Sequence, residues 1–170
     1  AKFKGQPDIH ALEIGCFEGR GTLWLMENVL TNETSNIYCV DTFLGSAEHT
    51  HFGLPFTETY ERFKTNTAHL NGRITVHPAS SSIVLKSLPS KFNIIYVDGS
   101  HMAPDVLSDL VLSWPLLKKG GVMFCDDYMW PGTDDVQQHR PQVAIDCFVT
   151  IFYEQLKLLH KDYSVAVEKL

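Results

Sequence analysis

Three glycines, Gly15, Gly19 and Gly21, follow an apolar run and precede an amphipathic one. This order limits the fold more than any other feature of the chain. Ile9, Ala11, Leu12 and Ile14 make a short buried strand, and Leu23, Met26, Val29 and Leu30 then recur at helical spacing. Glycine can turn sharply between the two because it lacks a Cβ. Strand, tight bend and helix in that order open a parallel α/β sheet. The bend lies at the carboxyl edge of the first strand, beside the topological switch point where such sheets bind ligands.

The rest of the chain continues the alternation. Further strands are expected at 37–40, 73–77, 92–97, 122–125 and 163–168. Helices are expected near 19–31, 57–70, 79–88, 104–117 and 141–160, with Lys118-Lys-Gly-Gly121 closing the fourth. The run 92–97 is apolar almost throughout, as a central parallel strand is. The pattern predicts one α/β domain over 1–170. Its sheet is doubly wound, Rossmann-like and mostly parallel, with strand order 3-2-1-4-5-6. Two loops stand apart. Residues 44–55 carry His49 and His51, a spacing that solvated loop histidines explain better than a metal does, and 129–141 is polar and long enough for an active-site loop.

Composition excludes several classes. The 20 acidic residues outnumber the 14 basic ones for a net charge of -6, and no Lys/Arg run marks a nucleic-acid footprint. No uncharged apolar stretch reaches the length of a membrane span, and the polar opening residues do not read as a secretory leader. Cys16, Cys39, Cys125 and Cys147 show no C-x-x-C spacing and read as reduced thiols, which fits a cytoplasmic protein, monomeric or homodimeric.

The glycine order is G-x-x-x-G-x-G. It differs from the dinucleotide order G-x-G-x-x-G and from the Walker loop, and no lysine stands in the phosphate-binding place. Glu13 precedes the bend and Glu18 lies inside it, which suits a cationic ligand better than a pyrophosphate. Asp41 ends the second strand, where a carboxylate can accept two hydrogen bonds from a ribose cis-diol. The fourth and fifth strands, expected to be neighbours about 4.8 Å apart, end in Asp98 and in Asp126-Asp127. Carboxylates that converge repel unless protons or a cation neutralise them. Oxygen ligands favour Mg²⁺, which can bind an acceptor hydroxyl and lower its pKa. His101, three residues past Asp98, has a reference pKa of about 6.5 and is placed to take that proton. The competing reading makes the aspartates turn residues, His101 their hydrogen-bond donor and the serines at 80–82 helix caps.

Glu13-Ile-Gly15, Gly19, Thr22-Leu-Trp-Leu25, Val40-Asp-Thr-Phe43, Tyr96-Val-Asp-Gly-Ser-His101 and Asp126-Asp-Tyr128 resemble class I S-adenosylmethionine (SAM) dependent methyltransferases. Within that class the chain is similar to the small-molecule O-methyltransferases of the catechol, caffeoyl-CoA and macrolide-sugar type. The resemblance implies a cofactor site of Glu13, Gly15, Gly19, Gly21, Asp41 and Asp98, with Ser80 and Ser81 near the adenine. It also implies a Mg²⁺ site of Asp98, Asp126 and Asp127, His101 as base with Asp98 in the catalytic group, and a small-molecule hydroxyl as acceptor. Two rivals share the fold: an oxidoreductase or hydroxylase, against which the glycine order and the lack of a 2-His-1-carboxylate set count, and a non-catalytic SAM-binding domain.

Overall fold

The structure, a computed structural model, describes residues 2–45, 58–70, 72–88, 92–132 and 136–170. Strand β1 (His10–Ile14), helix α1 (Arg20–Asn28) and strand β2 (Asn36–Asp41) come first. Helix α2 (Thr59–Thr67), strand β3 (Ile74–Pro78), the single-turn helix α3 (Ser81–Val84) and strand β4 (Phe92–Val97) follow. Helix α4 (Ala103–Ser113), strand β5 (Leu117–Cys125), helix α5 (Pro141–Ile151) and strands β6 (Leu156–Lys161) and β7 (Val165–Lys169) complete the described elements.

The sheet order is β3-β2-β1-β4-β5-β7-β6. The first five strands in that order run parallel, and β7 is antiparallel to both β5 and β6. Alternate strand residues supply the two faces. Leu12, Ile14, Ile95 and Val97 pack on one side with Val106, Leu110 and Phe148. Ala11, Ile37, Cys39 and Ile94 pack on the other with Leu25, Met26 and Phe63. Backbone bonds continue past the strand ends: Gly15 N–H donates to the Val40 carbonyl (2.9 Å), Asp98 N–H to Ile14 (2.8 Å) and Asp126 N–H to Val97 (3.0 Å). These bonds hold the residues after β1, β4 and β5 at one level of the sheet.

Three expectations are corrected. The segment 141–160 is not one helix. α5 ends at Ile151, a 3-10 turn follows, and Leu156–Lys161 is a strand. The alternation at 163–168 is β7, which lies against β5 as expected, but β6 pairs along its outer edge, so the sheet has seven strands rather than six. The apolar residues 156, 158 and 159 fit either period. The decisive factor is that β7 would otherwise leave its backbone groups unpaired. The segment Lys118–Gly121 does not cap a helix either. Pro115 ends α4 in a 3-10 turn, and the four residues lie inside β5, where the register with β4 shifts. A side chain at Gly121 would come within 2.7 Å of Leu117 Cδ1, so this irregularity depends on glycine.

Candidate active site

A cavity of about 390 Å³ opens over the carboxyl ends of β3, β2, β1 and β4. Its walls include Gly15 and Phe17 of the bend, Asp41 to Phe43 after β2, Ala79 to Ser82 after β3, and Asp98 to Ser100 after β4; Asp105 and Asp109 of α4 close one side. The described residues lining it include four aspartates and no Lys, Arg or His.

The bend is held from both sides. Gly15 has φ +87°, and a methyl group there would lie 1.9 Å from the Asp98 carbonyl oxygen, so glycine is required both by the dihedral and by the close passage of the chain after β4. Asp41 Oδ2 accepts the backbone N–H groups of Cys16 (2.7 Å) and Phe17 (2.8 Å), and Oδ1 accepts that of Phe43 (2.7 Å). Loop amides that would otherwise face an anion are therefore engaged by the protein's own carboxylate. Phe17, Phe43 and Asp127 have positive φ, at 46°, 56° and 55°. Such strain in residues with a Cβ gathers at functional rims.

The residues singled out from the sequence do not all reach the cavity. Gly15, Asp41, Ser80, Ser81 and Asp98 line it, whereas Glu13, Gly19 and Gly21 do not. Glu13 is 1% exposed and lies beneath the bend, with Thr22 donating to its Oε2. A Cβ at Gly21 would sit 2.4 Å from Glu13 Oε1, so Gly21 makes room for that carboxyl. Burial, offset in part by the hydrogen bonds of Thr22 and Cys39, pushes Glu13 up to about 7. His49 and His51 lie outside the described residues.

At the β4–β5 end, Asp98, His101 and Asp127 each place a ligand atom within 4.8 Å of the others. His101 Nε2 lies 2.8 Å from Asp127 Oδ2, and the His101 ring packs on Trp130 with centroids 5.1 Å apart. Burial, with the charges of Asp126 and Asp127, raises Asp98 to about 8. Burial also opposes ionisation of Asp127, but hydrogen bonds from His101 and Tyr163 outweigh it and lower its pKa. Asp126 departs from the expected trio: its Oδ2 accepts the Tyr96 hydroxyl and its Oδ1 accepts the Asp127 N–H. Asp98 and Asp127, the former held partly protonated, offer oxygen donors that fit a divalent cation, with the His101 imidazole beside them.

Sequence reading missed three contributors. Tyr163 precedes β7 and reaches Asp127 only because β7 lies against β5. Thr59, buried on the cavity wall, has a hydroxyl without a hydrogen-bond partner among the described residues. Asp109 lies on the α4 wall. None of the three carried a local pattern.

Comparison with known proteins identifies the fold and the family. The chain matches the family described as "Methyltransferase domain" over residues 12–128. A curated relative, uncharacterized protein R132 of Acanthamoeba polyphaga mimivirus, is 27% identical over 129 residues, 71% of this chain; the chain spans about half (52%) of that protein's length. Among solved structures, a putative rRNA-methylase from Clostridium thermocellum superposes with TM-score 0.73 at 14% identity, over 99% of this chain and 90% of that one. A putative caffeoyl-CoA O-methyltransferase from Staphylococcus aureus gives 0.67 at 14% identity, over 95% and 75%. The MycE methyltransferase of the mycinamycin biosynthetic pathway, in complex with Mg and S-adenosylhomocysteine (SAH), gives 0.65 at 15% identity, over 99% and 46%. These likenesses establish the Rossmann-like methyltransferase fold. With the family match covering most of the sequence, from the strand before the glycine bend to the acidic rim, the chain belongs to the methyltransferase domain family, the class I SAM-dependent enzymes that its motifs resemble.

Proposed function

We propose that the chain binds SAM and transfers its methyl group to a hydroxyl of a small molecule, assisted by a divalent cation. The observation that carries this reading is the cavity itself: four carboxylates, no cation among the described lining residues, and one end at the Asp98–His101–Asp127 group. A ligand with a sulfonium and an ammonium suits such walls. A pyrophosphate does not, since it would meet carboxylates and find the Cys16 and Phe17 amides already bonded to Asp41. This disfavours the nicotinamide alternative.

Asp41 would receive one ribose hydroxyl on the acceptor position that its three backbone bonds leave open, since a carboxylate has about four acceptor positions. Ser80 and Ser81 would border the adenine. Glu13, Gly19 and Gly21 would act from beneath, by shaping the bend. Asp98 lines the cavity and also belongs to the rim group, so it joins the donor site to the acceptor site. Asp98 and Asp127 would hold Mg²⁺, with Asp126 available if it leaves Tyr96. The ion would polarise an acceptor hydroxyl and lower its pKa. His101, oriented by Asp127 and Trp130, would take the hydroxyl proton as the oxygen–methyl bond forms and the carbon–sulfur bond breaks. In-line positioning carries most of such a reaction. The name of the S. aureus neighbour supports O-methylation, and that of MycE supports SAH and Mg. The net charge of -6 favours a small acceptor over a polynucleotide.

Calorimetry with SAH and with NAD tests the cofactor, and mass spectrometry of a hydroxyl-acceptor panel with labelled SAM, with Mg²⁺ or with chelator, tests the transfer. Heat with SAH alone and Mg²⁺-dependent label on oxygen are the expected results. Heat with NAD and none with SAH removes the reading.

A further inference from the structure

The two aspartates that follow β5 do not act alike. Asp127 joins Asp98 and His101 within 4.8 Å, whereas Asp126, the residue before it, is not in that group. Both oxygens of Asp126 are engaged elsewhere: Oδ2 accepts the Tyr96 hydroxyl, and Oδ1 accepts the Asp127 N–H at 3.0 Å. Between the two carboxyls the chain takes φ 55° at Asp127, a conformation disfavoured for a residue with a Cβ.

Tyr96 has no role in the reading above. It stands opposite Phe124 in the β4–β5 ladder, and Asp126 is two residues further on, hence on the same face. Its ring packs in the α1-side cluster, and a Cβ at Gly21 would lie 3.8 Å from its Cε1. Packing therefore fixes the ring, and the hydroxyl can hold Asp126 in place. A hydrogen bond to a carboxylate is among the stronger ones, and Asp126 would lose it on turning to the rim.

We infer that Tyr96 is a positioning residue that withholds Asp126 from the cation, leaving Asp98 and Asp127 as its carboxylate ligands. This rests on the divalent-cation reading above. A cation held by fewer protein oxygens binds less tightly but keeps more positions for water and for the acceptor hydroxyl.

Mn²⁺ serves as the probe. Electron paramagnetic resonance of the free ion gives its affinity, and water-proton relaxation reports the waters that remain on the bound ion. The proteins are the wild type, Tyr96→Phe, Asp126→Asn and the double variant. Phenylalanine keeps the ring against α1 and removes only the hydroxyl, so the fold is expected to persist. Tyr96→Phe should bind Mn²⁺ roughly 10-fold more tightly or better, the worth of one hydrogen bond to a charged group. Its relaxation enhancement should fall, because Asp126 replaces a water. Asp126→Asn should change wild-type affinity by no more than about threefold, a screened charge effect, and should abolish the gain in the double variant. Three results overturn the inference while leaving Mn²⁺ binding intact: unchanged affinity in Tyr96→Phe, a gain that survives Asp126→Asn, or a loss of about tenfold on Asp126→Asn alone. Absence of Mn²⁺ binding to the wild type and to Tyr96→Phe alike removes the cation reading with it.

Discussion

Replacing Glu13 by glutamine should change how stability depends on pH rather than only how large it is. Glu13 is fully enclosed beneath the glycine bend, and its carboxyl has moved from 4.5 to about 7. At about 1.4 kcal/mol per pH unit, that difference carries about 3 kcal/mol between its protonation states. The folded chain keeps a proton that the unfolded chain releases between pH 4.5 and 7. The contribution is therefore fully present below pH 4.5 and is lost as pH rises through about 7. A glutamine side chain cannot ionise, so this slope disappears in the variant. The glutamine carbonyl can still accept from Thr22, but its amide meets only weak sulfur acceptors among the described residues, Cys39, 3.8 Å from Oε2 in the wild type, and Cys16. That mismatch costs about 1–2 kcal/mol and is independent of pH. Asp98 and Asp109 are also raised and slope the same way in both proteins; Asp109 cancels in the difference, and Asp98 nearly so, since the charge of Glu13 is the smallest cause of its shift. Urea titrations of wild type and Glu13→Gln at half-unit steps from about pH 5 to about pH 8.5 measure it. The difference in unfolding free energy should shift by about 2–3 kcal/mol in favour of the variant across that range. Parallel curves would show that Glu13 is ionised throughout and that the enclosure argument is wrong.

Other consequences can be measured independently. Gly15→Ala and Gly72→Ala start from nearly the same dihedral, φ +87° and +85°, but only the first meets backbone, at 1.9 Å, while the second meets nothing within 4 Å. Thermal melts should show loss of about 1–2 kcal/mol for Gly72→Ala and no cooperative native state for Gly15→Ala; equal losses would mean that φ alone matters. Asp41→Ala strips a partner from three backbone amides and should weaken SAH binding by about tenfold or more, read by calorimetry; unchanged affinity would remove Asp41 from the cofactor's grip. Because Asp98 is protonated below about 8, Mg²⁺ affinity should rise by about tenfold per pH unit up to that point and then level off, and Asp98→Asn should abolish the dependence. A flat profile in the wild type would argue against Asp98 as a ligand.

The sequence alone was enough for whatever depends on neighbours along the chain. The apolar run before Gly15, the return of helical spacing after Gly21, and the acidic residue closing each of three strands are local patterns, and the ladder that joins β1, β2 and β4 carries Gly15, Asp41 and Asp98 to one rim. The C-terminal ambiguity was also local, since Leu156, Leu158 and Leu159 satisfy two periods; pairing with β7, a non-local bond set, chose the strand. Side-chain partnership was a tertiary decision throughout. Asp126 turns to Tyr96, thirty residues earlier, and leaves His101 to complete the rim group; Glu13 is closed in by Thr22 and Cys39; Asp109 meets Ser81 only because α4 crosses beside α3. Spacing along a chain determines which way the backbone delivers a residue, but the partner it meets depends on the order in which distant strands and helices come to lie side by side.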